Sequence, residues 1–305
     1  MSHRRHILPG FGLSLGYTLT YLSALVLIPL GALILKTSQL SWGEFWNTTT
    51  DPLVVWAYKL TFGASLIAAA INGIFGLIVA WVLVRYRFPG RRFFDALIDF
   101  PFALPTAVAG LSFSSLYVPG GWMGSLGDHL VWLANQLFLL LHVASPREGG
   151  ALIPEHALSW LAFPLASSNA GVVLVLVFVG LPFVVRTVQP VLQEWEPEFE
   201  QAAMTLGARR WTVLRRVIFP EILPAWLSGV ALAFARAVGE YGSVVFISGN
   251  IPGKSQIAPQ KIIEKLEDFK YSQATAIAVV LLAASLAVLL LINGVEYWSR
   301  RHERA

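Results

Sequence analysis

Cysteine is absent from the 305 residues, and charged side chains make up only 13% of them. Without cysteine the chain has no disulfide, no thiolate metal site and no cysteine nucleophile. Soluble domains carry about 25% charged residues, so the low charge argues against a soluble enzyme, a disordered chain and a nucleic-acid-binding domain. The six histidines show no H-x-x-x-H metal spacing. The sequence therefore predicts no catalytic residues, no metal ligands and no cofactor in this chain.

Apolar residues are in excess, at 56% of the chain with a mean hydropathy of +0.64. They gather in blocks, and a helix needs about 20 such residues to cross a bilayer. We therefore predict an all-α polytopic membrane protein, with one transmembrane domain at 11–298 between a cytoplasmic N-terminus (1–10) and a cytoplasmic tail (299–305). Its six predicted spans are about 11–35, 60–84, 93–118, 170–188, 224–247 and 273–295.

The distribution of cations predicts the orientation of these spans. With the N-terminus in the cytoplasm, fourteen of the 22 Lys and Arg residues fall on cytoplasmic segments and seven on external ones, while Arg236 lies in a span. The positive-inside rule then favours both termini in the cytoplasm. The segment 119–168 becomes an external insertion. Its apolar run at 129–143 is too short for a seventh crossing and fits an interfacial or re-entrant helix better.

The predicted cytoplasmic loop 189–223 follows local helix rules. Pro197 suits a first helical position and Gly207 suits the residue just past a helix end, which predicts a capped helix over about 197–206. A second amphipathic helix is expected from about 208 to 219, ended by Pro220. From spacing alone, the two helices could also be a hairpin on the lipid surface, with arginines on phosphates.

A motif in this loop resembles a known family. Gln201-Ala202-Ala203, then Gly207, then Val217-x-Phe219-Pro220 resembles the E-A-A-x3-G-x9-I-x-L-P loop of importer-type ABC permeases. The spacing matches throughout, but Gln201 stands where the family usually has Glu, and Glu200 is adjacent. The resemblance implies a coupling helix that docks on a cytoplasmic ATPase. The implied coupling residues are Glu200, Gln201, Ala202, Ala203, Gly207 and Pro220.

Longer stretches are similar to the T-type permease subunit of bacterial sulfate/thiosulfate importers, namely 85–111, 180–193, 235–255 and 274–282. The resemblance covers most of the chain but not 119–168. It implies a six-helix type I importer permease in the bacterial inner membrane, with ATP hydrolysis in a separate subunit. The implied partners are a second homologous permease subunit, two ATPase subunits and a periplasmic sulfate-binding protein.

Two alternative functions stay open on the sequence. Molybdate and tungstate permeases share the R-x-x-G-E-x-G and G-N-I-P-G stretches, and their substrates are also tetrahedral dianions. An ion-coupled secondary transporter would predict an inverted repeat and buried acidic residues in the spans. No clear repeat is visible, and Glu240 is the one carboxylate predicted at mid-span.

Ionisable and polar residues within spans are candidates for function. Arg236 and Glu240 are spaced i, i+4 and are expected to pair, either to fix packing or to line the path of a dianion. Asn72 is expected to form an interhelical hydrogen bond or to contact the substrate. Asp95 and Asp99 are expected to pair with Arg91 or Arg92, with a cation site as the alternative.

The predicted external loop after span five contains a near match to a phosphate-binding loop. Gly249 and Gly253 precede Lys254 and Ser255, but three residues separate the glycines where the motif needs four. We therefore expect no nucleotide binding there. The loop also mixes charges of both signs, which fits either a docking surface for a binding protein or an ordinary solvated loop: Lys254, Lys261, Lys265, Lys270, Glu264, Glu267 and Asp268.

Overall fold

The computed structural model describes residues 11–126 and 165–302, with five further residues between 129 and 136. The predicted insertion and its 129–143 run therefore lie mostly outside the described residues. The described residues contain helices and no strand, which confirms the predicted all-α fold. Five helices are long and apolar enough to cross a membrane: Phe11–Thr37, Pro52–Arg85, Asn169–Glu194, Arg210–Val238 and Tyr271–Ile292.

The described helices follow one another with short connections. Their bounds are α1 Phe11–Thr37, α2 Trp42–Thr49, α3 Pro52–Arg85, α4 Arg91–Ile98, α5 Phe100–Ala103 and α6 Thr106–Tyr117. After the insertion come α7 Asn169–Glu194, α8 Pro197–Thr205, α9 Arg210–Val238, α10 Val244–Ser248, α11 Ala258–Glu267 and α12 Tyr271–His302.

The predicted span at 93–118 is interrupted, as Pro101 and Pro105 lead one to expect. The segment consists of α4, α5 and α6, with Pro101 in the first turn of α5 and Pro105 just before α6. No single described helix there is long enough to span a bilayer. A count of six crossings with both termini inside therefore stays a prediction.

Helix α9 differs from the prediction at both ends. It does not stop at Pro220, because a π-helical turn at Leu214–Ile218 shifts the hydrogen-bond register, and the Phe219 N–H bonds the Leu214 carbonyl. At the other end the helix stops at Val238 instead of continuing to 247. Residues 239–243 are non-helical and separate α9 from α10.

Helices α3, α7 and α9 form the core of the fold. Glycines allow their backbones to approach: an added Cβ at Gly73 would touch Trp226 and Val230, and one at Gly76 would lie 2.8 Å from Val184. The Trp226 Nε1–H donates to the Gly73 carbonyl over 2.8 Å. Close packing around small residues and occasional side-chain hydrogen bonds are typical of helix association in membranes. Helix α1 contacts α12 at the periphery, and none of its residues is buried.

Candidate functional site

The capped helix predicted over about 197–206 is present to within one residue at its end, since α8 spans Pro197–Thr205. Its role as a coupling helix stays a prediction. Glu198 and Glu200 lie in its first turn, where the positive helix end favours carboxylates. Gly207 follows in the left-handed region with φ 81°, and its N–H donates to the Met204 carbonyl over 2.9 Å. Glycine adopts this φ without steric cost, so the sequence ends the helix where the motif places Gly207.

The outer face of α8 is exposed around the motif. Gln201 and Ala202 are exposed, and Leu206 just past the helix is 89% exposed. Ala203 faces inward and packs against the core cluster that includes Val213 and Ile218.

Glu200 does not share this outer face. Its carboxylate forms an ion pair with Arg85, the last residue of α3. The Arg85 guanidinium also lies over the Trp81 ring, with 5.1 Å between the guanidinium carbon and the ring centroid. Glu200 therefore points inward in this structure, and Gln201 is the polar motif residue that faces outward. Pro220 lies within α9, two residues past the π-helical turn.

Arg186 links α7 to the interrupted segment by binding Asp95 of α4 and Asp99 just after it. Its guanidinium donates to the Asp99 carboxylate at 2.7 and 2.8 Å and to the Asp95 carboxylate at 2.8 Å. It also donates to Gln189 over 2.6 Å. The predicted pairing of these aspartates with Arg91 or Arg92 is wrong, because α4 packs on α7 and brings Arg186 between them. The guanidinium occupies the place that a bound cation would take.

The predicted Arg236–Glu240 ion pair is present, but it spans the end of α9 instead of lying on one helix face. Glu240 is 1% exposed, and one carboxylate oxygen accepts from the Ser243 backbone N–H over 3.0 Å and from the Ser243 hydroxyl over 2.7 Å. The Arg236 side chain is 35% exposed. The pair thus buries its negative partner and presents its positive partner at the surface of the chain.

Asn72 is enclosed by the three core helices and does not reach the surface. Its amide lies against Gly180 of α7, where an added Cβ would collide with it, and Ala233 of α9 is adjacent. Both amide heteroatoms are buried without a hydrogen-bond partner among the described residues. The predicted interhelical hydrogen bond is therefore not formed in this conformation.

The segment after α10 is held against α3 by a buried polar network. The Ala258 N–H donates to the Thr61 hydroxyl over 2.8 Å, and Gln260 donates to the Ser248 hydroxyl over 2.7 Å. Lys261 is buried and pairs with Glu264 over 2.6 Å. Burial opposes ionisation of Glu264, but hydrogen bonds from Lys261 and Gln256 keep its pKa below the ordinary value. Part of the predicted mixed-charge surface is thus internal structure.

These features define an α-helical membrane protein. The fold is similar to a chain in the crystal structure of a bacterial ABC transporter involved in import of the acidic polysaccharide alginate. The TM-score is 0.68 at 13% identity, with 96% of each chain covered. This chain belongs to the family described as "Binding-protein-dependent transport system inner membrane component", whose match covers residues 72–304.

Relatives with curated names are similar over nearly the whole chain. The chain is 44% identical to the sulfate transport system permease protein CysT of Escherichia coli (strain K12), over 96% of this chain and 94% of the relative. It is 46% identical to the protein of that name from Synechococcus elongatus, over 94% of this chain and 92% of the relative. The resemblance to sulfate importer permeases predicted from the motifs is confirmed.

Proposed function

We propose that this chain is the permease subunit of an ATP-driven importer that moves sulfate or thiosulfate into the cytoplasm by alternating access. The observation that carries this proposal is 44% identity to a sulfate transport permease over 96% of the chain. The partners that this function requires are a second homologous permease subunit, two cytoplasmic ATPase subunits and a periplasmic sulfate-binding protein. The assembly would lie in the bacterial inner membrane, and the chain itself would need no cofactor.

Arg236 is the side chain best placed to present positive charge to a dianion. Its guanidinium is partly exposed, while Glu240 holds it from the buried side. An exposed cation in a membrane-spanning region faces a water-filled path or another protein chain, since lipid would not solvate it. The pairing with Glu240 weakens the attraction for an anion, and a transport path must release what it binds. Asn72 is buried between α3 and α7. It would reach such a path only after these two helices separate.

Labelled sulfate uptake tests the substrate. Cells that contain the chain should take up labelled sulfate, deletion of its gene should abolish that uptake, and unlabelled thiosulfate should compete. Phosphate should not compete at similar concentrations. Uptake blocked by trace molybdate would replace sulfate by molybdate as the substrate. Uptake that survives deletion in a strain without another sulfate importer would contradict the proposed function.

The outer face of the coupling segment should determine ATPase binding. The variant Leu206→Asp places a charge where an apolar side chain is 89% exposed, so we expect more than about tenfold less ATPase subunit to co-purify with the chain. The matched control is Phe269→Asp, which changes an exposed apolar residue of the predicted external loop and should leave co-purification unchanged. Co-purification of Leu206→Asp at the wild-type level would show that Leu206 lies outside the ATPase interface.

A further inference from the structure

The coupling helix is attached to the core by its covalent connections, by the packing of Ala203 and by an ion pair. The backbone joins α8 to α7 through Trp195 and Glu196, and to α9 through residues 206–209. Helix α3 is far from α8 in sequence, because 115 residues separate Arg85 from Glu200. The Arg85–Glu200 pair connects α8 to this third core helix.

The pair is sheltered in a way that surface ion pairs are not. The exposed fractions of the Arg85 and Glu200 side chains are 22% and 18%. The Trp81 ring covers one side of the guanidinium, and the Arg85 Nε is buried without a hydrogen-bond partner among the described residues. Glu200 borders a cleft of about 440 Å³, which is lined by Trp81, Glu200, Met204, Arg210, Trp211, Val213, Leu214 and Ile218. Charges with restricted access to water interact more strongly than exposed ones.

The position of the pair matters because α3 contacts both other core helices. Helix α3 packs along α7 and α9, and its residues Gly73 and Gly76 allow a close approach to them. A displacement of α8 reaches α7 and α9 through the backbone. The displacement reaches α3 through the packing of Ala203 and through the Arg85–Glu200 ion pair. The ion pair joins two particular side chains, so it links the movement of α8 to the end of α3.

We infer that Arg85 and Glu200 are positioning residues that transmit movement of the coupling helix to α3, so that all three core helices respond when the ATPase closes. This inference rests on the proposed function. It assigns Glu200 to a contact within the chain, whereas the outward residues Gln201, Ala202 and Leu206 form the ATPase-facing surface. Loss of the pair should leave the ATPase bound but its hydrolysis poorly converted into transport.

The test compares four variants with wild type in the reconstituted complex: Arg85→Gln, Glu200→Gln, the double Gln variant, and the charge-swapped Arg85→Glu with Glu200→Arg. Each is measured for co-purified ATPase, ATP hydrolysis and labelled sulfate uptake per assembled complex. The control Arg87→Gln removes an exposed arginine two residues away that makes no ion pair in the described part of the chain.

We expect both single variants to retain the ATPase and to lose about tenfold in uptake per complex, since hydrogen bonds to charged groups are among the stronger ones. The double Gln variant should lose no more than either single variant, the charge-swapped variant should regain uptake, and Arg87→Gln should match wild type. Uptake within twofold of wild type in the single variants, or losses that multiply in the double variant, would overturn the inference.

The charge-swapped variant keeps the test valid if the single-variant proteins do not accumulate in the membrane. If the single variants do not accumulate, a swapped variant that accumulates and transports supports the inference. Accumulation without transport, or no accumulation at all, would overturn it. A wild-type complex that fails to transport sulfate would reject the proposed substrate instead. The same variants would then be compared by uptake of labelled thiosulfate or molybdate, whichever the wild-type complex transports.

Discussion

Arg236→Gln is expected to lower sulfate uptake by at least about tenfold and to reduce the free energy of unfolding by about 3 kcal/mol. The reason for the loss of stability is Glu240, which is 1% exposed and would keep only the two Ser243 donors. Breaking a buried pair by removing one partner leaves an uncompensated charge. The reason for the loss of uptake is the missing positive charge at the surface of the chain. Labelled uptake and membrane abundance measure the two effects separately.

The double variant Arg236→Gln with Glu240→Gln separates packing from transport. It removes both charges, so abundance should recover because no buried charge is left unpaired. If Arg236 only neutralises Glu240, uptake should recover as well. If Arg236 faces the anion, as we expect, uptake should stay low at normal abundance. Unchanged uptake and abundance in Arg236→Gln alone would contradict both roles.

The coupling helix was predictable because local rules govern it. Pro197 at the first position, carboxylates in the first turn and Gly207 beyond the end act within a few residues of one another. The same rules failed at Pro220. A stop at proline assumes uninterrupted α-helical hydrogen bonding, and the π-helical turn before Pro220 changes that register.

Hydropathy could not predict the C-terminal end of α9 at Val238. The apolar composition continues to residue 247, so a window average shows no boundary at Val238. Gly239 and Gly242 were the available signal, since glycines favour a break. The break itself is set by a tertiary contact, in which residues 242 and 243 lie directly against Thr106 and Gly110 of α6.

Ion-pair partners depend on packing that sequence proximity does not reveal. Asp95 and Asp99 lie near Arg91 in sequence, yet they bind Arg186, which is 91 and 87 residues away. A signal was present, because Arg186 and both aspartates lie at the predicted cytoplasmic ends of their spans, 170–188 and 93–118. The Arg85–Glu200 pair was not predicted for the same reason, because its partners are 115 residues apart in sequence.

Gly110→Ala is expected to reduce the free energy of unfolding by about 3 kcal/mol or to prevent accumulation of the chain. An added Cβ would lie 2.7 Å from the Ser243 Cα and closer still to its carbonyl oxygen. These are backbone atoms, so no side-chain rotation relieves the overlap, and α6 must move away from the segment after α9. That movement also shifts Ser243, whose hydroxyl and N–H hold Glu240. Uptake should therefore fall together with stability.

The matched control is Gly63→Ala in α3, where an added Cβ meets nothing within 4 Å. A glycine replaced by alanine within a helix without steric conflict is expected to be neutral or to gain about 0.4–1 kcal/mol. Thermal unfolding of the detergent-solubilised chains should place Gly110→Ala well below wild type and Gly63→Ala at or above it. If both variants unfold at the same temperature, α6 does not contact the 239–243 segment as closely as the structure shows. We would then reject the idea that α6 holds Ser243 in place against Glu240. The predictions for Arg236→Gln would be unaffected, because they depend only on the Arg236–Glu240 ion pair.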